Sequence, residues 1–188
     1  MAVALTVRMA SEADVPALAQ LDASYSAGRR VLALDRTGAA PETTIAFRWR
    51  DGTAREAVYG VYDEARLRRA LGSVDLCLVA EIEKKIAGLL MVLVPSWTDA
   101  GEITDLVVDR TLRERGAGRA LVGGAVEWAR GRSLRALWVE PRADNADAIE
   151  CYLSLGFRLS GFNDRMYSNG DHEGGKPTLY FYLELAEA

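Results

Sequence analysis

The residues with the clearest chemical potential are Arg113-Glu114-Arg115-Gly116-Ala117-Gly118-Arg119, which lie between an apolar, strand-like run and an amphipathic helical run. Glycines one residue apart let backbone N–H groups turn toward a single point, and the following helix adds the positive end of its dipole there. Such a turn suits a pyrophosphate and so predicts a phosphorylated cofactor. Spacing separates the glycine-rich loops that could do this. A triphosphate loop requires Lys then Ser or Thr after its second glycine, where this chain has Arg119-Ala120. A dinucleotide fingerprint requires a third glycine three residues after Gly118, where Leu121 stands, and Asp109 to Leu112 separate the turn from its strand.

The elements that must hold this turn follow from periodicity. Leu5 to Met9 alternates apolar and polar as a strand does, and Ser11 is placed to cap a helix carrying Val15, Leu18, Ala19 and Leu21 on one face. That pattern fades near Gly28. Thr43 to Arg50 and Glu56 to Asp63 alternate around Asp51-Gly52, which predicts a hairpin turning at that dipeptide. A short helix over Glu64 to Leu71 precedes strands at Leu76 to Glu81 and Ile86 to Val94, joined by a polar turn at Glu83-Lys84-Lys85. The second of these is almost wholly apolar, so it is expected in mid-sheet with both faces covered. Then come a strand at Glu102 to Val108, the glycine turn, a helix ending at Arg130, a strand at Leu134 to Glu140, a helix from Asn145 to Leu155, and strands at Phe157 to Asn163 and Thr178 to Glu184. Gly123-Gly124 interrupts the first of those long helices at a cost of roughly 1 kcal/mol per glycine, which close packing on a sheet would offset. The order predicts an α/β fold: a mixed, mostly antiparallel twisted sheet flanked by helices on both faces.

The chain's 188 residues, 49% of them apolar, suit a single domain over 1–188 with one core. Twenty-three basic against 27 acidic residues, a net charge of -4, argue against coating nucleic acid or an anionic membrane. Cys77 and Cys151 lack metal-ligand spacing, and His172 has no ligand partner at such spacing, so no metal is expected. The longest apolar run, Ile86 to Val94, is far short of the roughly 20 residues that span a bilayer. We therefore expect a soluble cytoplasmic protein, and nothing in the composition opposes a homodimer.

Two segments carry a family resemblance. Val108 to Leu121, with Arg113-Glu114-Arg115-Gly116-Ala117-Gly118 at its centre, resembles the Arg/Gln-x-x-Gly-x-Gly/Ala acetyl-CoA loop of the GNAT superfamily of N-acetyltransferases. Asn145-Ala146-Asp147-Ala148-Ile149-Glu150-Cys151-Tyr152-Leu153-Ser154-Leu155-Gly156-Phe157 is similar to that family's Asn-x-x-Ala-x-x-x-Tyr-x-x-x-Gly-Phe signature. The resemblance implies the GNAT fold and acetyl-CoA as cosubstrate, bound by backbone at Leu106, Val107 and Val108, by Arg113, Arg115, Gly116, Ala117, Gly118 and Arg119, and by Asn145, which otherwise caps its helix. It also implies Glu102 as general base with Asp105 as the alternative, and Tyr152 as the proton donor to the departing thiolate. Period two would put Glu102 and Thr104 on one strand face and Asp105 on the other, leaving one carboxylate facing the substrate.

The C-terminal half, with Leu137-Trp138-Val139-Glu140 and Leu179-Tyr180-Phe181-Tyr182-Leu183, is similar to streptothricin acetyltransferases, as are Leu21 to Tyr25 and Phe47 to Arg50 more loosely. That likeness implies a small-molecule amine as acceptor, lined by Asp22, Tyr25, Glu56, Tyr59, Tyr62 and Trp97. A protein N-terminus or lysine is the alternative acceptor. A regulatory module that holds acetyl-CoA without turnover is the non-enzymatic reading.

Overall fold

The structure is a computed structural model and describes residues 4–59, 63–166 and 177–185. Tyr62 and His172 lie outside the described residues. The chain separates into two compact units.

The first unit comprises Met1–Tyr25, Val58–Trp138 and Glu184–Ala188. It contains β1 (Leu5–Met9), a 3₁₀ turn at Glu12–Asp14, α1 (Val15–Leu18), the start of β2 (Ser24–Ala27), α2 (Glu64–Leu71), β6 (Leu76–Ile82), β7 (Lys85–Leu93), β8 (Ala100–Val108), a 3₁₀ turn at Arg110–Leu112, α3 (Ala117–Arg130) and most of β9 (Ala136–Val139). The strands lie in the order β1-β6-β7-β8-β9. β1, β6, β7 and β8 pair antiparallel along that order. α3 then connects β8 to its neighbour β9. β7 is central, with Ala87 and Leu89 to Val92 all at most 2% exposed, as its apolar run predicts.

Alternation along β6 and β7 sorts their side chains to two helix layers. Cys77, Val79, Leu89 and Met91 pack with Val15, Leu18 and Leu67 from α1 and α2. The opposite face meets α3: a Cβ on Gly88 would touch Leu121, and one on Gly124 would come within 3.0 Å of Leu78. Gly124 is therefore glycine for close packing on the sheet, whereas nothing lies within 4 Å of a Cβ at Gly123.

The second unit comprises Ser26–Ala57 and Val139–Leu183. It holds β3 (Arg30–Ala39), β4 (Glu42–Asp51), most of β5 (Arg55–Val58), α4 (Ala146–Ser154), β10 (Arg158–Asn163) and most of β11 (Thr178–Glu184). β3 pairs with β4 over ten residues, from Arg30↔Asp51 to Ala39↔Glu42, and β10 pairs antiparallel with β11. Phe47 and Phe162 meet edge to face with centroids 5.5 Å apart.

Two sequence expectations need correction here. The hairpin turns at Ala40-Pro41, not at Asp51-Gly52, and its first strand is Arg30–Ala39. Gly52 serves a different purpose, because a Cβ there would clash with the Gly28 carbonyl oxygen, so it permits a close backbone approach. The helix expected from Ser11 is also shorter, reduced to the 3₁₀ turn and the four residues of α1. Backbone bonds from Gln20 to Ala17 and from Leu21 to Leu18 close its end, and Asp22 is then captured by Asp109, as described below.

Candidate active site

β8 is not a regular strand. Its register with β7 runs Met91↔Asp105 and then Val92↔Ile103, leaving Thr104 as an extra residue. This is a β-bulge. Directly opposed residues of an antiparallel pair share a face, so Asp105 shares one with Met91, and Glu102 shares one with Leu93. Met91 and Leu93 are two positions apart on β7 and face the same way. The bulge thus brings Glu102 and Asp105 to one side of the sheet, correcting the expectation from strict alternation that they oppose each other. Cys77 lies on that same face, and its thiol is pushed up to about 12, first by burial and then by the charges of Asp105 and Asp14.

Tyr59 secures the bulge. Its hydroxyl donates to the Thr104 carbonyl oxygen at 2.9 Å, while the Thr104 hydroxyl is buried with no hydrogen-bond partner among the described residues. Tyr59 remains 41% exposed, so the ring can both brace β8 and border a ligand.

Beyond Val108, the chain enters the glycine turn. Gly116 has φ +87°, the left-handed region that favours glycine, and stands at the start of α3 with no side-chain cap. The first intrahelical bond runs from Ala120 to Gly116 at 3.0 Å, so the N–H groups at the head of the helix have no partner within it. A Cβ on Gly118 would meet only Val108, at 3.8 Å. The protein alone has no need of glycine at that position, whereas a phosphate seated against the backbone would. Arg115 and Arg119 are exposed. The turn therefore fits the pyrophosphate of a CoA thioester on the geometry of its own backbone.

Arg113 is differently occupied. Its Nη2 donates to the Ser24 carbonyl at 2.7 Å, and its Nε to the Val108 carbonyl at 3.2 Å. Around it, the Arg110 N–H donates to the Asp22 carbonyl at 3.0 Å and its Nη1 to the Ser24 hydroxyl at 3.1 Å. The Asp22 N–H donates to the Asp109 carboxylate at 3.0 Å. The Asp22 carboxyl is held below its ordinary value, chiefly by Ser24, whose N–H donates to it at 2.9 Å. Asp109 is also lowered overall: burial opposes the shift, but hydrogen bonds from Thr111 and the Asp22 amide outweigh it. Sequence reasoning missed Ser24, Asp109 and Arg110 as site-building residues, because their bonds join segments more than eighty positions apart.

Of the other expected residues in the first unit, Tyr25 is buried and Trp97 is 79% exposed on the loop before β8. Leu106, Val107 and Val108 pair with Leu90, Leu89 and Gly88. In the second unit, Asn145 caps α4 by accepting the Ala148 N–H at 3.2 Å. Tyr152 is 7% exposed and packs edge to face on Phe157, with centroids 5.5 Å apart. Glu56 is exposed on β5. Asp144, just ahead of the Asn145 cap, is 1% exposed and bonded by Arg55 at 2.7 Å and Arg142 at 3.2 Å. Burial alone would raise its pKa, but the two guanidiniums lower it.

The bulged strand carrying Glu102 and Asp105 thus runs into an uncapped, glycine-led helix on a mixed α/β sheet. The family model described as the acetyltransferase (GNAT) family matches residues 42–157, and the chain belongs to that family. Among curated relatives, a streptothricin acetyltransferase of Escherichia coli is 28% identical over 106 residues, covering 56% of this chain and 60% of the relative. A second, from Streptomyces lavendulae, is 33% identical over 98 residues, covering 52% of this chain and 51% of the relative. These alignments thus span little more than half the length of either relative. In fold, the chain resembles a solved Bacillus anthracis structure described as a putative streptothricin acetyltransferase in complex with acetyl coenzyme A, with TM-score 0.78, 21% identity, and coverage of 96% of this chain and 99% of that one.

Proposed function

We propose that this chain moves the acetyl group of acetyl-CoA directly to a primary amine of a small polycationic molecule of the streptothricin class. The observation that carries the reading is the Thr104 bulge, which sets Glu102 and Asp105 on one face of the strand that leads into the glycine turn. The streptothricin acetyltransferases among its relatives support the substrate class.

At neutral pH an aliphatic amine is mostly protonated and cannot attack a thioester. A carboxylate at Glu102 removes that proton directly or through water, and Asp105 beside it adds negative charge that attracts a cationic acceptor. The neutral nitrogen attacks the thioester carbonyl carbon, and the tetrahedral intermediate collapses by breaking the C–S bond. The nitrogen gives up its second proton to solvent, or to Glu102 once it has passed the first to water, and Tyr152 supplies a proton to the CoA thiolate and is reprotonated from solvent. The products are the N-acetyl amine and CoA with a free thiol, with no covalent enzyme intermediate. Leu106 to Val108 and the Arg115 to Arg119 backbone are the proposed donor contacts, and Asp22, Tyr25, Tyr59 and Trp97 the proposed acceptor border.

Thiol release from acetyl-CoA, followed with streptothricin, aminoglycosides, polyamines and peptides with free N-termini or lysines, tests this. Streptothricin or a similar small polyamine should give the highest kcat/KM. Preference for the peptides would overturn the acceptor class, and CoA binding without acetylation of any amine would overturn the enzymatic reading.

A further inference from the structure

The donor turn and the chain segment Asp22–Ser24 are one hydrogen-bonded assembly inside the first unit. Arg113, at the head of the turn, spends its guanidinium on two backbone carbonyls, Ser24 at 2.7 Å and Val108 at 3.2 Å. Asp109 fastens the same segment from the other side, accepting the Asp22 N–H on one carboxylate oxygen and the Thr111 N–H and hydroxyl on the other. Arg110 adds bonds to the Asp22 carbonyl and the Ser24 hydroxyl. The bonds to Asp22 and Ser24 link the loop that follows β8 to the residues that follow α1.

We propose that Arg113 is a positioning residue that couples the donor turn to the Asp22–Tyr25 segment, so that CoA on the turn orders the segment that receives the acceptor amine. The inference rests on the function proposed above, which puts the donor on the turn and the acceptor beside Asp22 and Tyr25. The guanidinium is the fitting group, because its fan of N–H donors reaches two carbonyls at once whereas an ammonium is a point donor. Anchoring Arg113 to Ser24 and Val108 fixes the backbone leading into Gly116. A phosphate that immobilises the turn therefore removes motion from the Ser24 end as well, and ordering at one site lowers the entropy cost of ordering at the other.

Amide hydrogen exchange of the full chain, with and without CoA, reads this coupling apart from turnover, and calorimetry gives the CoA Kd. In the wild type, CoA should slow exchange several-fold in the peptide containing Asp22–Tyr25 as well as in the donor turn. Arg113→Ala should keep the CoA Kd within about threefold, lose protection in Asp22–Tyr25 and raise the streptothricin KM about tenfold with a smaller change in kcat. Arg113→Lys should restore part of that KM. Asp109→Ala, which loosens the same segment from the other side, should reproduce the pattern. A tenfold weaker CoA Kd with unchanged acceptor KM would make Arg113 a direct pyrophosphate ligand and overturn the proposal. So would CoA protection of Asp22–Tyr25 that survives Arg113→Ala, or a global rise in exchange in that variant. CoA binding to the wild type with no protection there would sink the coupling alone, whereas no CoA binding at all would sink the donor assignment as well.

Discussion

At the scale of single residues, two carboxylates three positions apart on a strand ordinarily point to opposite faces, and one extra residue, Thr104, changes that. Glu102 and Asp105 then share one face of β8, and the proposed function gives them the roles of taking the amine proton and drawing in a cationic acceptor. The pair predicts a graded response to neutralisation. Glu102→Gln should lower kcat/KM by about 10²-fold at neutral pH and flatten the acid limb of the pH–rate profile, where the rate falls as the base protonates. Asp105→Asn should act mainly through KM and leave that limb in place. Steady-state profiles of both variants decide the roles, and a limb that disappears only in Asp105→Asn would exchange them. Tyr59 bears on the same geometry, since its hydroxyl holds the Thr104 carbonyl. Tyr59→Phe should therefore lower kcat about three- to tenfold while leaving the CoA Kd unchanged, and a variant with wild-type kinetics would show that the bulge needs no brace.

At the scale of elements, α3 contains two adjacent glycines that the structure treats differently. Gly124 is pressed to within 3.0 Å of Leu78 and 3.3 Å of Val7 for any added Cβ, whereas Gly123 is exposed with open space. Gly123→Ala should stabilise the protein by about 0.5–1 kcal/mol by reducing the freedom of the unfolded chain. Gly124→Ala should be neutral or destabilising by about 1 kcal/mol or more, because the overpacking offsets the helical gain. Urea unfolding of the two variants measures the contrast, and equal effects would contradict the packing. The same helix shows which elements were legible. β6, β7, α3 and α4 announce themselves through apolar period, a Gly116 start and an Asn145 cap, all of which are local signals. Asp51-Gly52 is as good a local turn signal as any, and only the distant Gly28 carbonyl reveals that glycine is required there for close approach instead of a hairpin turn. Strict alternation puts Glu102 and Asp105 on opposite faces, since a bulge is set by pairing between strands and leaves no mark in the bulged strand's own alternation. The Arg113 network was invisible for the same reason. Its partners at Asp22 and Ser24 are brought near by the fold, while in sequence an arginine beside a glycine turn reads most simply as a phosphate ligand.

At the scale of the whole molecule, each unit buries one carboxylate among the described residues and holds it with guanidinium groups. In the first unit, Asp14 is 7% exposed and accepts from Arg8 at 2.7 and 2.8 Å and from the N–H and hydroxyl of Ser11 at 2.7 and 2.9 Å. Arg8 in turn bonds Glu81, tying β1, the 3₁₀ turn and β6 together. The Arg8 guanidinium is the first cause that pulls the Asp14 carboxyl well below its ordinary value of 3.8. Asp144 is the counterpart in the second unit, lowered by Arg142 and Arg55 against the opposing effect of burial. Both folded-state pKa values lie below those of the unfolded chain, so the unfolded state binds protons first as pH falls. The stabilisation is fully present above about pH 4 and is lost progressively below it, as the pH approaches the folded-state values. Asp14→Asn should cost about 1–3 kcal/mol at pH 7, a range that allows for the half-exposed Arg8. Its deficit relative to wild type should shrink between pH 4 and pH 2.5, because the wild-type advantage is what protonation removes. Glu12→Gln, on an exposed pair with Arg68, should change stability by less than about 0.5 kcal/mol across the same range. Urea unfolding at stepped pH values measures all three chains, and an Asp14→Asn deficit that stays constant down to pH 2.5 would show that this carboxylate acts through shape and hydrogen-bond geometry instead of charge.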